Sequence, residues 1–330
     1  MPLPAALRPY LQTPIIRAIA STELGTPIRV PVPFGGTLAR ILIRLTGTLT
    51  VTVAAATSVN EDAPYGLIRD CQVVVNGGKT IRAHPARFVQ RWNQIQLGTG
   101  KRVTAPSGSV GSTAFVAEWE IDFSQYDLKG LEHYFVQDTR VTTGLDLIFQ
   151  VGDANDIALA GGATLALSAL QLSIQPEEIA GLGGYASEMQ FQRLPRVISS
   201  VGHLVINDLP ALGEIYRAFV LHTTSHATIT DPIRQPGDDT VIGDVTLRGG
   251  VRTHYSATPW EQIRADNKGI FGIETMFAGW AVLDFARLHD LTQLLRTRST
   301  RQLTLDLNIA AAPANANLEI YPIATRLLVG

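Results

Sequence analysis

Apolar and polar residues alternate along much of this chain, the pattern of β-strands that bury one face. In the longest run, residues 37–53, the apolar positions are Leu38, Ile41, Ile43, Leu45, Leu49, Val51 and Val53. Their spacing is mostly two, with one slip near residues 39–40. Residues 72–84 predict a hairpin that turns at Asn76-Gly77, because these residue types tolerate positive φ angles. Residues 246–255 predict a second hairpin, with its turn at Gly249-Gly250.

Short helical patterns follow each predicted hairpin. The first covers residues 85–96 and the second residues 258–267, where Pro259 suits a first helical turn and Thr258 its cap. Two further helices are predicted over residues 126–135 and 286–297. In the last of these, the apolar residues at helical spacing are Leu288, Leu291, Leu294 and Leu295.

The two halves of the chain carry the same signals in the same order. At one constant offset, Phe115, Asp122 and Phe123 align with Phe277, Asp284 and Phe285. Further matches with slightly different offsets join residues 73–78 to 245–250, Phe88 to Trp260, residues 36–43 to 213–220 and residues 145–147 to 305–307. Ordered matches of this kind indicate a tandem duplication.

About eight strands per half predict two tandem eight-stranded jelly rolls with short inserted helices, a mainly β fold. We place the first jelly roll at residues 25–175 and the second at residues 196–330. Residues 176–195 break both periodicities and are predicted to be a linker. Residues 1–24 have no counterpart in the second half and are predicted to form an N-terminal arm.

Composition favours a protein with large contact surfaces. Charged residues make up 17% of the chain and hydrophobic residues 45%, whereas soluble domains typically have about 25% charged residues. The net charge of −2 does not indicate a specific nucleic-acid partner. A small basic cluster, Arg296, Arg298 and Arg301, is interpreted as a solvated or intersubunit face.

The single cysteine, Cys71, excludes an internal disulfide and is interpreted as a buried thiol. The N-terminus lacks the pattern of a signal peptide. No stretch reaches the roughly 20 apolar residues of a membrane helix. The most apolar segment, residues 157–174, contains paired glycines and is predicted to form strands.

No catalytic, cofactor-binding or metal-binding residue is predicted, and the chain is not expected to be an enzyme. His222 and His226 are the close histidine pair and would share one face of a strand, with Asp231 as a possible third metal ligand. The first half has no matching pair, so we interpret both histidines as polar strand positions. Asp122 and Asp284 are equivalent in the repeat and are predicted to cap the helices that follow them.

Other candidate motifs also favour structural roles. The glycine-rich residues 181–186 are interpreted as flexible linker, and residues 98–102 lack the full phosphate-loop spacing. The acidic loops 60–66 and 235–244 do not match a calcium-binding spacing. The four tryptophans are interpreted mainly as core residues, with a sugar-stacking platform as the alternative; they are Trp92, Trp119, Trp260 and Trp280.

One resemblance points to a family. Residues 36–53 form a long alternating run, and residues 63–78 contain an APYGLI turn followed by an Asn-Gly-Gly hairpin. This succession resembles the opening jelly roll of the double jelly-roll major capsid proteins of tailless, icosahedral, membrane-containing bacteriophages. The resemblance covers approximately residues 25–330.

The resemblance implies a structural protein of the virion, synthesised in the host cytoplasm. It implies a homotrimer whose six jelly rolls form a pseudo-hexagonal capsomer, with lateral contacts to further capsomers and to penton or minor capsid proteins. It also implies an internal lipid membrane. Residues 1–24 would lie at the base of the capsomer and contact a neighbouring subunit or that membrane through Leu11, Ile15, Ile16 and Ile19. No cofactor and no specific nucleic acid are expected.

Two other classes stay open at this point. A tandem β-sandwich that binds carbohydrate would need exposed aromatic residues or calcium loops. A bicupin metalloenzyme would need a histidine set in each half, and the first half has none that matches His222 and His226.

Overall fold

The computed structural model describes residues 9–33, 35, 37–52, 58–97, 103–123, 137–138, 143–179, 187–209, 215–250, 252–285, 295–297 and 302–327. The chain divides into two compact units, one of Met1–Met189 with Leu327–Gly330 and the other of Gln190–Arg326. No helix in this described part is long and apolar enough to cross a membrane.

The first unit contains thirteen strands and one α-helix among its described residues. The strands are β1 (Pro9–Leu11), β2 (Ile15–Ile19), β3 (Pro27–Pro31), β4 (Thr37–Thr52), β5 (Ser58–Val59), β6 (Ile68–Val75), β7 (Lys79–His84), β8 (Val103–Thr104), β9 (Gly111–Asp122), β10 (Gln137–Asp138), β11 (Leu145–Val151), β12 (Ala158–Leu159) and β13 (Thr164–Ile179). The helix is α1 (Ala86–Leu97), and single 3-10 turns cover Ser21–Glu23, Tyr65–Leu67 and Ala154–Asp156.

The second unit repeats this organisation after β14 (Ser187–Gln192), which spans the border between the units. Its strands are β15 (Leu194–Val197), β16 (Gly202–Ile206), β17 (Ile215–Thr224), β18 (Ile242–Gly249), β19 (Arg252–Pro259), β20 (Trp280–Asp284), β21 (Leu295–Arg296), β22 (Leu303–Ile309) and β23 (Asn317–Leu327). The helix is α2 (Trp260–Phe271), and a 3-10 turn covers Pro232–Arg234.

Each unit contains two sets of four antiparallel strands in the same order, to which the shorter strands add. In the first unit the orders are β2–β13–β4–β9 and β3–β11–β6–β7. In the second they are β15–β23–β17–β20 and β16–β22–β18–β19. The short strands β10 and β21 extend equivalent positions, since they pair with β4 and β17. The prediction of two tandem eight-stranded jelly rolls is therefore confirmed.

Alternating side chains build the core of each unit. Along β4, Ile41, Ile43 and Leu45 are buried, whereas Arg44 between them is exposed. Along β22, Leu303, Leu305 and Leu307 point into the second core, and the residues between them are only partly buried. A period of two places one face of each strand against the opposite sheet.

The strand register confirms part of the predicted duplication. Asp122 pairs with Arg40 at the end of β9, and Asp284 pairs with Ala218 at the end of β20. The next residue is equivalent as well: Phe123 N–H donates to Ala39 O at 2.9 Å, and Phe285 N–H donates to Arg217 O at 2.8 Å.

Other predicted equivalences are wrong. Phe115 lies inside β9, but Phe277 precedes β20, because the second strand is shorter. Leu145 pairs with Val75 at the end of β6, whereas Leu305 pairs with Leu247, two residues before the end of β18. Small loop differences shift such matches even when the strands correspond.

The first hairpin turns where the sequence predicts, and the second turns one residue later. Residues 76–78 join β6 to β7, and Asn76 and Gly77 have φ angles of 53° and 77°. In the second hairpin Gly249 still belongs to β18 and pairs with Arg252. Gly250 takes up a positive φ angle, of 60°.

Each helix is attached to a strand in the same way, by an asparagine side chain that binds the strand backbone. Asn267 of α2 donates its Nδ2 to Val282 O and accepts from Val282 N, both at 2.8 Å. Asn93 of α1 donates to Glu120 O at 3.3 Å. Glu120 and Val282 each lie two residues before the equivalent aspartates, so both amides bind the same point of β9 and β20.

Two helix predictions need correction. Pro259, not Thr258, is the residue before α2; it offers no side-chain cap, and Thr258 pairs with Val245 in the sheet. The helix continues to Phe271 and ends at Gly272, whose φ of 65° allows its N–H to bond back to Lys268 O. Residues 126–135 and 286–294 lie outside the described residues. The predicted helix over 286–297 is wrong at its end, because Leu295–Arg296 pair with β17 as a strand.

Much of the predicted N-terminal arm belongs to a sheet. β1 pairs with the end of β13 and β2 with its middle, so the segment follows one edge of this strand. Tyr10 reinforces the pairing by donating its hydroxyl to Glu178 Oε2 at 2.9 Å. The arm is therefore joined to the first jelly roll from residue 9 onward.

The predicted linker, residues 176–195, also contains strand residues at both ends. β13 continues to Ile179, while β14 and the first residues of β15 fall inside the same range. The two acidic residues of the predicted linker lie in β13, where Glu177 pairs with Arg40 and Glu178 with Leu38 of β4.

Candidate functional site

The histidine pair singled out by its spacing is separated by the end of a strand. β17 ends at Thr224, so His222 lies in the strand and His226 in the loop after it. His226 Nδ1 accepts hydrogen bonds from the N–H groups of Thr228 at 3.2 Å and Ile229 at 3.1 Å. The expectation that both histidines share a strand face is wrong, because the strand stops too early.

Asp231, the possible third ligand, has a local structural role. Its Oδ1 accepts a hydrogen bond from Ile233 N at 3.1 Å and caps the turn Pro232–Arg234. Its Oδ2 lies 3.7 Å from Arg234 Nε. Among the residues that the structure describes, no group of three or more His, Cys, Asp or Glu side chains is arranged to hold a metal ion.

His222 instead belongs to a closed cluster in the second unit. Its ring stacks on Trp280, with centroids 4.0 Å apart and planes at 14°. Its Nδ1 lies 3.2 Å from Glu319 Oε2, which also accepts the Tyr321 hydroxyl at 2.7 Å. Arg193 Nη2 lies 2.5 Å from Glu319 Oε1. Because His222, Trp280, Glu319 and Tyr321 are at most 1% exposed, this cluster braces the sheet and offers no opening to a substrate.

The acidic loop 235–244 is held by hydrogen bonds from its own surroundings. Burial raises the pKa of Asp238, but hydrogen bonds from Ser225 and from Thr240 outweigh it and leave that pKa below its usual value. Asp239 accepts Gly279 N at 2.7 Å and forms an ion pair with Arg264 at 2.6 Å. Its carboxylate oxygens are thus occupied by protein donors.

The acidic loop 60–66 of the first unit is likewise held by an ion pair with the inserted helix. Arg91 of α1 lies 2.7 Å from Asp62 Oδ1 and 3.7 Å from Glu61 Oε1. In each unit, therefore, an arginine of the inserted helix pairs with an aspartate of the loop that precedes the hairpin. The loops are fastened to the helices by these ion pairs.

The four tryptophans are all core residues, as one of the two interpretations expects. Their exposed fractions are 6% for Trp92 and 1% for Trp119, Trp260 and Trp280. None of them can form a surface platform for a sugar ring. Cys71 is fully buried as well, and burial raises the pKa of its thiol.

Several other candidates lie outside the described residues. These are the glycine-rich residues 181–186, residues 98–102, and Arg298 and Arg301 of the basic cluster. The predicted helices after Asp122 and Asp284 also lie outside the described residues, apart from residues 295–297 of the second. Asp284 itself is buried, and its carbonyl accepts the Tyr255 hydroxyl at 3.2 Å.

The distinctive surface feature is the position of the exposed apolar side chains. Eight large hydrophobic residues of the described chain are exposed: Tyr10, Leu11, Ile16, Val103, Val110, Val197, Val201 and Val205. All of them lie on edge strands or on loops that adjoin edge strands. The two helices carry none of these eight residues. Apolar surface concentrated at sheet edges is typical of a protein that associates side by side.

Sequence reasoning missed part of this feature. The sequence predicts a contact role for Leu11 and Ile16 of the arm, but none for Val197, Val201 and Val205. A signal was present, because Val201, His203 and Val205 alternate with Gly202, Leu204 and Ile206. The run is short, and alternation alone does not tell an edge strand from a central one.

No known family profile matches the chain, and no curated protein matches its sequence. Solved structures do match. A chain of Sulfolobus turreted icosahedral virus is 16% identical, with a TM-score of 0.72 over 97% of this chain and 91% of that chain. The major capsid protein of bacteriophage PM2 is 12% identical, with a TM-score of 0.62 over 96% of this chain and 98% of that chain.

The Faustovirus major capsid protein is similar at 8% identity, with a TM-score of 0.64 over 98% of this chain and 91% of that chain. These proteins have the double jelly-roll fold. At such low identities the likeness establishes a common fold along nearly the full length of this chain.

Proposed function

We propose that this chain is the major capsid protein of an icosahedral virus and resides in the capsid shell of the virion. The observation that carries the proposal is the extent of the structural likeness. It covers 96–98% of this chain and 91–98% of the viral chains, so both jelly rolls are included. A structural protein of this type needs no active site.

The duplication gives the chain a way to build a hexagonal tile. Three copies, each with one jelly roll in each of its two units, supply six similar units around a three-fold axis. Closed cyclic symmetry satisfies identical contacts in each copy. The resulting pseudo-hexagonal capsomer then meets other capsomers, and penton or minor capsid proteins, through its sides.

The location of exposed apolar residues supports lateral assembly. Interfaces between permanently associated subunits are more apolar than the remaining surface. Five of the exposed large hydrophobic residues lie outside residues 1–24, on edge strands or adjoining loops where a neighbouring copy would cover them; they are Val103, Val110, Val197, Val201 and Val205. The low proportion of charged residues, 17%, agrees with extensive protein contact.

Contact with an internal membrane is the role proposed for the N-terminal residues 1–24. Leu11 and Ile16 are 52% and 56% exposed, so they are available for such a contact. Ile15 is half-buried and Ile19 is only 6% exposed, so these two side chains support the jelly roll instead. No cofactor and no specific nucleic acid enter this proposal.

The mass of the purified protein tests the proposed function. Light scattering coupled to size exclusion should report three times the chain mass of 35.7 kDa. The trimer should persist at micromolar concentration, because the edge residues would otherwise meet water. A stable monomer at micromolar concentration would count against a coat protein.

A further inference from the structure

Three of the exposed hydrophobic residues lie close together along the chain in the second unit. Val197 is 74% exposed, Val201 64% and Val205 50%. Val197 ends β15, Val205 lies in β16, and Val201 lies in the short connection between them. We call Val197, Val201 and Val205 the valine edge.

The valine edge lies where both sheets of the second unit end. Within the described residues, β15 pairs with β23 and with no second strand, and β16 likewise pairs with β22 alone. Residues 198–201 join the two strands, so their outer edges lie side by side. The backbone N–H and C=O groups on these edges are therefore offered to a partner together with three apolar side chains.

The equivalent edge of the first unit is built differently. Its strand β3 corresponds to β16 and exposes Pro27, Arg29 and Pro31. Arg29 is held by an ion pair with Asp146 at 2.5 Å. Proline and charged residues are the usual means of keeping an edge strand from pairing with another chain. Of the two equivalent strands, β3 carries this protection and β16 does not; on the neighbouring β15, Pro195 and Arg196 precede Val197.

We propose that the valine edge is a self-association surface that seats against a second copy of this chain. The inference rests on the proposed function, because a shell protein meets copies of itself on every side. The open backbone N–H and C=O groups of an edge strand are suited to pairing with another protein chain, and a shell supplies a second copy of this chain.

The surroundings of the valine edge also suit a protein partner. Arg196 Nη2 lies 2.5 Å from Asp208 Oδ2, next to Val197 along the chain, and His203 Nδ1 lies 3.0 Å from Asp306 Oδ1, two residues before Val205. Apolar residues together with polar and charged neighbours are typical of a protein–protein interface. Burying the three valines then removes apolar surface from water.

A paired-charge experiment tests the assignment. The double variant Val197→Lys, Val205→Lys places charges in the proposed contact, and Thr253→Lys, Ser256→Lys places the same charges on exposed positions of β19, the opposite edge of the unit. Light scattering over a concentration series should show that the valine variant needs at least a tenfold higher concentration to associate. The β19 variant should associate as the unaltered chain does.

The outcomes separate this inference from the proposed function. If the unaltered chain associates and the valine variant associates equally well, the valine edge is not the contact and the proposed function stands. If the unaltered chain is monomeric, both fail. Thermal unfolding must show that each variant is folded; if the lysine variant is not, Val197→Ser, Val205→Ser decides in the same assay.

A labelling experiment reads the contact directly. The chain has one cysteine, Cys71, which is fully buried, so Val205→Cys introduces the accessible thiol for a maleimide. Labelling should be at least tenfold slower in the associated protein than after dilution to monomer. A cysteine at Thr253 should react at the same rate in both states. Equal rates at Val205 in both states would overturn the proposal.

Discussion

Gly237 shows how closely the loops of the second unit approach one another. A Cβ atom at this position would lie 1.9 Å from Ala278 O, a backbone atom that cannot move aside. We expect Gly237→Ala to lower the free energy of unfolding by about 1–3 kcal/mol, the usual cost of overpacking. Chemical denaturation at one fixed protein concentration measures this change.

Gly269 provides the matched control for that substitution. It lies inside α2, and nothing lies within 4 Å of a Cβ atom added there. Gly269→Ala should raise the free energy of unfolding by about 0.5–1 kcal/mol, because alanine loses less backbone entropy in a helix. Equal effects of the two substitutions would contradict the packing described for the loop.

His84 should make the protein sensitive to acid. Burial, and secondarily the positive charge of Arg82, lower the pKa of His84 from 6.5 to about 3. Between these values the unfolded chain binds a proton that the folded chain does not. The free energy of unfolding should therefore fall as the pH falls from about 6.5 to about 3, by up to about 1.4 kcal/mol per pH unit from this residue.

Replacement of His84 by glutamine tests that dependence. Between pH 7 and pH 3, the free energy of unfolding should depend less steeply on pH for His84→Gln than for the unaltered chain. His203→Gln is the control, since the side chain of His203 is 69% exposed. The assignment is wrong if the two variants show the same pH dependence.

Burial is the property of single residues that the sequence predicts best. The alternation of Ile41, Ile43 and Leu45 predicts their common face, and the structure buries all three. Contacts across strands are not predictable in this way. His222 meets Trp280 and Glu319 only because of the register of β17 with β20 and β23, which distant turns determine.

Among the secondary-structure elements, α1 and α2 have the most specific attachment. Asn267 forms two hydrogen bonds to Val282, whereas Asn93 forms a single, longer one to Glu120. Asn267→Ala would leave a buried N–H and C=O of β20 without these partners. We expect a loss of about 2–4 kcal/mol in the free energy of unfolding, at about 1–2 kcal/mol for each group.

Asn93→Ala should cost less, because only one bond is lost there. Gln262→Ala serves as control on an exposed position of α2 and should change stability little. Hydrogen exchange adds a direct readout, since the Val282 amide should lose protection in Asn267→Ala. Unchanged exchange at Val282 would contradict the role of this side chain.

Long elements with a clear period are predictable from the sequence, and short ones are not. The run 37–53 becomes β4, and both helices after the hairpins form within a few residues of the predicted bounds. The strands β15 and β16 have only four and five residues, so alternation is too brief to identify them. Leu295 fitted a helical spacing, but hydrogen bonding to β17 makes it a strand residue.

The duplication is clearest in the complete chain. Both units have the same two strand orders. In both, an asparagine of the helix binds the backbone of a strand, and an arginine of the helix forms an ion pair with a loop aspartate. They differ at one edge, where β3 carries prolines and arginine and β16 is bordered by valines. Shared architecture with a diverged edge fits the proposed ring of three chains, in which the two units of each chain would meet different neighbours.

Electron microscopy of the purified assembly tests this architecture most directly. Class averages viewed along the symmetry axis should show six lobes of similar size with strict three-fold and only approximate six-fold symmetry. That result follows from three copies of a chain with two similar but distinct jelly rolls. Two-lobed monomers, or rings without a three-fold axis, would contradict it.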